Sequence, residues 1–380
     1  MATTRPARVL VVDDSAVVRE ALRAELLTRE GIGAVETAAD GATALRKVGR
    51  FDPDVVTMDV EMPGLDGLAT LRRLMAQAPR PVIMLSAHTT AGAARTIRAL
   101  EMGAVDFIEK PTAQNGHDLR LVVSDLCSKI GVLCGRWRGR RPRAGPRPEE
   151  PSPRSGLPAG GAARAVVAIG ASTGGTEAIR EVLEGLPRDL AAGVLVVQHM
   201  PAGFTLAFAN RLDQLCALEV KEARHRDLVR PGRVLVAPGD HHLLVRREGN
   251  TPFVELGCGP RVKGHRPSVD VTMQAAADVF GSRTVGVLLT GMGKDGASGM
   301  QRIQEKGGRT IAQDEDSSVV FGMPKAAIDL GVVDEVQSLA SIRHSVCRAV
   351  KGLEDEGRAP GAPALERPRL AEGTQAVERR

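Results

Sequence analysis

The chain has 380 residues, 43% hydrophobic, 26% charged and only 2% aromatic, with no Tyr; it has room for two domains, whose cores must be built from Val, Leu, Ile, Ala and Met. Its formal charge of +5 is concentrated in an Arg-rich stretch between Arg136 and Arg154, so the basic balance does not describe a nucleic-acid-binding fold. Five cysteines without CxxC spacing argue against a disulfide framework or a cysteine zinc site and for a reducing, cytoplasmic setting; no run reaches the ~18 apolar residues of a membrane span, and no secretory segment is expected at the N-terminus.

In chain order, short apolar runs at 8–12, 34–37, 55–58, 81–85 and 105–108 alternate with helix-period segments at 16–27, 42–48, 68–75, 91–102 and 118–132. Strands and helices in alternation predict a doubly wound parallel sheet over residues 1–130. Residues 131–164 are rich in Pro, Gly and Arg without apolar periodicity, the composition of an extended linker. The α/β rhythm returns over 165–353, with strands expected at 165–169, 194–198, 234–237, 285–290 and 307–313 and helices at 176–183, 204–215, 271–280 and 297–305. The stretch 354–380 is polar and uneven and reads as a disordered tail.

Chemistry gathers at strand ends. Asp13 and Asp14 follow the first strand, and Asp59 follows the third. In a parallel sheet these positions share the edge where ligands bind. Three converging carboxylates need a cation, and a hard, oxygen-bound ion such as Mg²⁺ suits them. Ser86 and Lys110 end two further strands, adding a hydroxyl and an ammonium beside the carboxylates, a cradle for a phosphoryl group. With the motifs VVDDS, MDVEMPGLDG, MLSAHT and FIEKP, residues 8–131 resemble a response-regulator receiver domain, of flavodoxin-like fold. That resemblance implies that Asp59 accepts a phosphoryl group from a chemotaxis histidine kinase. It implies that Asp13, Asp14, Asp59 and the Glu61 carbonyl bind Mg²⁺, and that Ser86, Lys110 and Phe107 form the switch.

In the second half, GASTGG (170–175) follows a strand and opens a helix, and Gly170, Ser172 and Gly174 satisfy G-x-S-x-G. That pattern exposes a serine on a sharp turn, although a glycine-rich turn can also cradle a phosphate. His199 and Asp295 follow other buried strands on the same rim, completing the residue types of acyl transfer. His241, His242 and His265 remain open as alternative bases by pattern alone. The order Ser, His, Asp differs from that of α/β-hydrolases, so a Rossmann-like parallel-sheet serine hydrolase of another fold is expected. The motifs GASTGG, QHMPAGF, APGDHHL, GHRPSVDV, LLTGMGKDGA and AQDEDSSVVFGMPKAAI make residues 165–353 similar to the catalytic domain of the chemotaxis protein-glutamate methylesterases. The resemblance implies Ser172 as nucleophile, His199 as base and acid, Asp295 as its orienter, and Thr173 and the Met292 amide near the oxyanion. It implies methyl-accepting chemoreceptors as substrates, demethylated at glutamate methyl esters and also deamidated at glutamines, with no cofactor for the esterase step. Nucleic acid is not an expected partner, and a membrane is reached only through receptors. A receiver joined to a hydrolase further suggests that the unphosphorylated receiver covers the Ser172 rim and moves off when Asp59 is phosphorylated.

Overall fold

The computed structural model describes residues 5–87, 89–110, 119–136 and 161–358. The first unit holds strands β1 (Ala7–Val12), β2 (Ile32–Ala38), β3 (Val55–Asp59), β4 (Val82–Ser86) and β5 (Asp106–Glu109). They alternate with helices α1 (Ala16–Leu27), α2 (Gly41–Phe51), α3 (Gly67–Gln77), α4 (Thr90–Glu101) and α5 (Leu119–Arg136). All pairings are parallel in the order β2-β1-β3-β4-β5, the flavodoxin-like winding expected from the sequence. Strands β3 and β4 are buried along their whole length, because helices cover both faces of such a sheet. Helices α1 to α4 start at polar residues: Ser15, Asp40, Asp66 and Thr89 each accept the amide N–H three residues on, satisfying an otherwise orphaned donor.

The second unit opens with β6 (Ala165–Ala171), α6 (Gly175–Glu184), β7 (Ala192–Gln198) and α7 (Phe204–Leu215). Strands β8 (Glu219–Glu222) and β9 (Arg233–Val236) extend the sheet on one side. A separate antiparallel hairpin, β10 (His242–Glu248) and β11 (Thr251–Gly257), follows. The chain then continues through α8 (Val269–Phe280), β12 (Thr284–Leu288), α9 (Ala297–Glu305), β13 (Arg309–Gln313), α10 (Met323–Asp329), β14 (Glu335–Gln337) and α11 (Leu339–Arg358). The seven-stranded sheet is parallel throughout, in the order β14-β13-β12-β6-β7-β9-β8. The winding reverses at β6, between β12 and β7. In open α/β sheets the crevice at such a reversal is where ligands bind.

Some expected boundaries fall inside elements. Residues 131–136 are the end of α5, and α11 runs on to Arg358. The rest of the expected linker up to 160, and the expected tail from 359, lie outside the described residues.

The two units pack on each other through α4 and α7, and one apolar cluster includes Ile97, Leu100 and Phe107 from the first unit and Phe204, Phe208 and Leu212 from the second. The rings of Phe107 and Phe204 stack with centroids 4.5 Å apart. Beside them Arg211 Nε donates to Glu101 Oε1 at 2.5 Å.

Helices α8 and α9 pack closely at Gly299, where an added methyl would lie 2.6 Å from Met273 Cβ and 3.2 Å from Asp270 Cα. Gly299→Ala is therefore expected to force these helices apart and destabilise the second unit by ~1–3 kcal/mol, seen as a lower urea midpoint by circular dichroism.

Candidate active site

Strand β6 ends in the turn 172–174, which three neighbours hold in shape. The Ser172 amide donates to Thr290 O at 3.0 Å, beyond the end of β12. The Ser172 carbonyl accepts Gln198 Nε2 at 2.8 Å and the Gly175 amide at 2.7 Å. Thr290 Oγ1 donates to Thr173 O at 3.0 Å and accepts the Val320 amide at 2.9 Å, and Gln313 Oε1 accepts the Thr290 amide at 2.7 Å. Gly174 has φ 74°, a left-handed conformation that favours glycine, and a side chain there would meet Val319 at 2.7 Å.

His199 follows β7, and its amide donates to Ala171 O at 3.2 Å, pinning it beside the strand that carries Ser172. Its Nε2 lies 2.9 Å from Asp295 Oδ2. Its Nδ1 is buried with no hydrogen-bond partner among the described residues. The aspartate thus engages one ring nitrogen and leaves the other without a partner among the described residues.

Asp295 is 1% exposed and sits on the N-terminus of α8. Its carboxylate accepts Ser268 Oγ at 2.9 Å and the amides of Val269 at 2.8 Å, Asp270 at 3.1 Å and Gly296 at 3.1 Å. Burial pushes its pKa up, but the hydrogen bond and charge of His199 and the helix amides more than reverse this and hold it below the ordinary carboxylate range. The helix macrodipole adds to the same effect. Asp270 braces the segment: its Oδ1 accepts the amides of Gly296 and Gly299 at 2.9 and 2.8 Å, and Lys263 Nζ donates to its Oδ2 at 2.5 Å.

The other histidines sort by position. His242 accepts the Ser268 amide at Nδ1 (3.2 Å) and donates from Nε2 to Pro260 O (3.0 Å), so it braces the residue that holds Asp295. His241 contacts Gly239 O. His265 stacks flat on His199, centroids 3.7 Å apart and planes 8° from parallel. The amides of Thr173 and Met292 carry no hydrogen bond among the described residues, and Met292 follows Gly291, whose Cα is so close to Ser172 that a methyl on it would lie 2.9 Å from Ser172 Cβ. The supporting roles of Gln198, Ser268, Asp270 and Thr290 are not legible in the sequence. The only signal is that these residues flank or lie within the motifs.

The first unit carries a second polar centre at its own strand ends. Asp13, Asp14 and Asp59 each bring a carboxylate oxygen within 4.8 Å of the others, and Asp13 and Asp59 are buried. Lys110 Nζ lies 2.6 Å from Asp13 Oδ2 and 2.7 Å from Asp59 Oδ2. Burial and the charge of Asp13 raise the Asp59 pKa, and Lys110 opposes the rise only in part. Crowded carboxylates that offer only oxygen ligands fit a hard divalent cation such as Mg²⁺. Glu61 donates its amide to Asp59 Oδ1 at 3.2 Å, and its side chain turns outward to Arg95. The Ser86 hydroxyl accepts Thr96 Oγ1 of α4 at 2.7 Å, so it is engaged with the helix. Phe107 is turned to Phe204.

A response regulator receiver domain matches over residues 9–120, and a CheB methylesterase domain over residues 167–346. The fold and these matches define a receiver joined to a methylesterase domain. A protein-glutamate methylesterase/protein-glutamine glutaminase of Symbiobacterium thermophilum is 47% identical over 356 residues, 91% of this chain and 98% of the relative. One of the same description from Pyrococcus abyssi is 45% identical over 359 residues, 93% of this chain and 96% of the relative. The crystal structure of the Thermotoga maritima CheB methylesterase catalytic domain is 41% identical, covers 48% of this chain and 97% of that one, and superposes with a TM-score of 0.48. The chain belongs to the protein-glutamate methylesterase/protein-glutamine glutaminase family.

Because the folded state raises the Asp59 pKa, it holds that proton more tightly than the unfolded chain does. Stability without a divalent ion is expected to fall as pH rises from the ordinary carboxylate range through the Asp59 titration. Mg²⁺ at ten times its dissociation constant is expected to restore ~1.4 kcal/mol. Urea unfolding with and without Mg²⁺ across pH checks this, and Asp13→Asn should remove the Mg²⁺ response.

Proposed function

We propose that the protein is a phosphorylation-activated serine hydrolase acting on chemoreceptors: it converts glutamate methyl esters to glutamate and methanol, and deamidates glutamines through the same glutamyl-enzyme. The observation that carries this reading is the His199 imidazole, bound at Nε2 to a buried, ionised Asp295 and unpartnered at Nδ1, on the sheet edge that also carries Ser172.

In this reading Ser172 Oγ attacks the ester carbonyl while His199 Nδ1 takes its proton. Asp295 holds the tautomer with the proton on Nε2 and stabilises the imidazolium that forms. The amides of Thr173 and Met292 receive the oxyanion; loss of one such donor costs ~3–4 kcal/mol in comparable sites. The Ser172 amide does not serve, since Thr290 O engages it. His199 returns its proton to the leaving methoxide, and methanol departs. Water then attacks the glutamyl ester with His199 again as base, freeing glutamate and Ser172. A glutamine substrate follows the same route with ammonia as the leaving group.

The receiver governs this chemistry through phosphorylation of Asp59 by a histidine kinase. Mg²⁺ held by Asp13, Asp14, Asp59 and the Glu61 carbonyl would neutralise the phosphoryl charge, with Lys110 as the fixed cation and Ser86 and Phe107 as the responding residues. Three contacts support steric gating in the unphosphorylated state. Phe107 stacks on Phe204, at the start of α7 just beyond the His199 loop. Glu101 pairs with Arg211 of α7. Val319, which packs over Gly174 beside the nucleophile, also packs against the receiver's apolar cluster. In this reading the receiver runs through the end of α5 at Arg136 and the hydrolase from Ala165 through the end of α11 at Arg358, with a linker between them and a tail after. No helix among the described residues is long and apolar enough to cross a membrane. A cytoplasmic setting, with membranes met only through receptors and no nucleic-acid partner, accords with this reading.

Methanol release from methylated receptor membranes tests the reading. The full chain should release methanol, faster with a small-molecule phosphodonor and Mg²⁺. Ser172→Ala should abolish release, and Asp295→Asn should lower kcat by about 10⁴-fold, as loss of the orienting carboxylate does in other triads.

A fragment beginning near residue 162 tests the gating. It should work at least as fast as the phosphorylated full chain. A fragment no faster than the unphosphorylated full chain would rule steric gating out.

A further inference from the structure

His265 takes no part in the proton transfers above, yet its ring covers one face of His199 at 3.7 Å between centroids and 8° between planes. The hydrogen bond to Asp295 fixes one atom of the His199 ring and leaves the ring free to roll about that bond. A flat partner at van der Waals distance removes this freedom, since the ring cannot roll without striking it. His265 is itself anchored: its main chain pairs with Val262 in both directions, at 2.9 and 3.0 Å. Its segment leads within three residues to Ser268, whose hydroxyl holds Asp295 at 2.9 Å. One short loop thus controls both the partner of Nε2 and the plane of the ring.

We propose that His265 is a positioning residue: its imidazole, stacked on His199, fixes the plane of the catalytic ring so that Nε2 stays on Asp295 and Nδ1 stays free to take the serine proton. The inference rests on His199 acting as the base.

Charge reinforces the geometry. Two parallel imidazoles at this distance repel if both are cations. Burial and the neighbouring His199 pull the His265 pKa down to about 4. Asp295 opposes that shift, while Arg261 on its own loop and Lys129 on α5 of the receiver reinforce it. Near neutral pH His265 is therefore uncharged, and the one proton that arrives during acyl transfer goes to His199, which it meets with a neutral π face.

The test uses the full chain with phosphodonor and Mg²⁺, assayed by methanol release, together with nitrogen chemical shifts of His199. His265→Ala should lower kcat roughly tenfold to a hundredfold, the scale of a misplaced catalytic group, with KM unchanged within about twofold. Its His199 shifts should change from a single Nε2–H tautomer to a mixture. His265→Phe, which keeps a flat ring, should recover most of kcat and the single tautomer. His265→Leu, similar in bulk but not flat, should behave like His265→Ala and replaces it if the smaller variant does not fold. Wild-type kcat and tautomer in His265→Ala or His265→Leu would overturn the proposal, as would a His265→Phe variant no better than they are. Ser172→Ala run alongside separates the two readings. Methanol release from that variant would refute His199 as base to Ser172, whereas a dead Ser172→Ala with a fully active His265→Ala would refute the stack alone.

Discussion

The second unit is organised around one buried negative charge. A carboxylate at 1% exposure is tolerable only when hydrogen bonds and opposing charge replace the water it has lost. Asp295 meets that demand with the first amides of α8, the Ser268 hydroxyl, the Gly296 amide and the His199 ring. Each donor constrains something else. Ser268 is held by His242, Gly296 by Asp270, and Asp270 by Lys263. The position of α8 and the orientation of the His199 ring are thus parts of one electrostatic arrangement.

Both units use the same placement rule. In the receiver the winding reverses beside β1 and β3, which deliver Asp13 and Asp59. In the hydrolase it reverses beside β6, whose neighbours β7 and β12 lead to His199 and Asp295. A parallel sheet presents its strand ends on one edge, so residues distant in sequence converge there. The two edges differ in what is delivered: crowded carboxylates and a lysine in one, a hydroxyl, an imidazole and a carboxylate in the other.

This rule explains what the sequence made legible. Buried central strands are continuous Val, Leu and Ile runs, so their ends, and the polar residues just beyond them, could be read directly. The edge strands of the second sheet could not: Glu219–Glu222 and Glu335–Gln337 are short and largely polar, and nothing in their composition separates them from loop. The hairpin His242–Gly257 buries Leu243, Val245 and Val254 but leaves residues 246–251 exposed, so its apolar residues never join into one long run. Within the site, the residue types of the triad were visible, but the ring nitrogen that meets Asp295 depends on a side-chain rotation that no motif encodes. The bracing roles of Gln198, Thr290 and Asp270 were invisible for a related reason. These side chains bind main-chain groups across the sheet edge, and that role depends on where the backbone passes rather than on spacing.

The stack of Phe107 on Phe204 has a thermodynamic consequence beyond contact. Both rings are nearly fully buried, in a protein with only seven Phe residues. Any separation of the two units must bring these rings and the apolar faces of α4 and α7 into water. Hydrating apolar surface raises heat capacity, so the free energy of separation follows a curve in temperature rather than a straight line. The closed arrangement is most favoured at an intermediate temperature and loosens on cooling as hydrophobic association weakens. The free energy that holds the two units together is therefore a temperature-dependent quantity written into the interface itself.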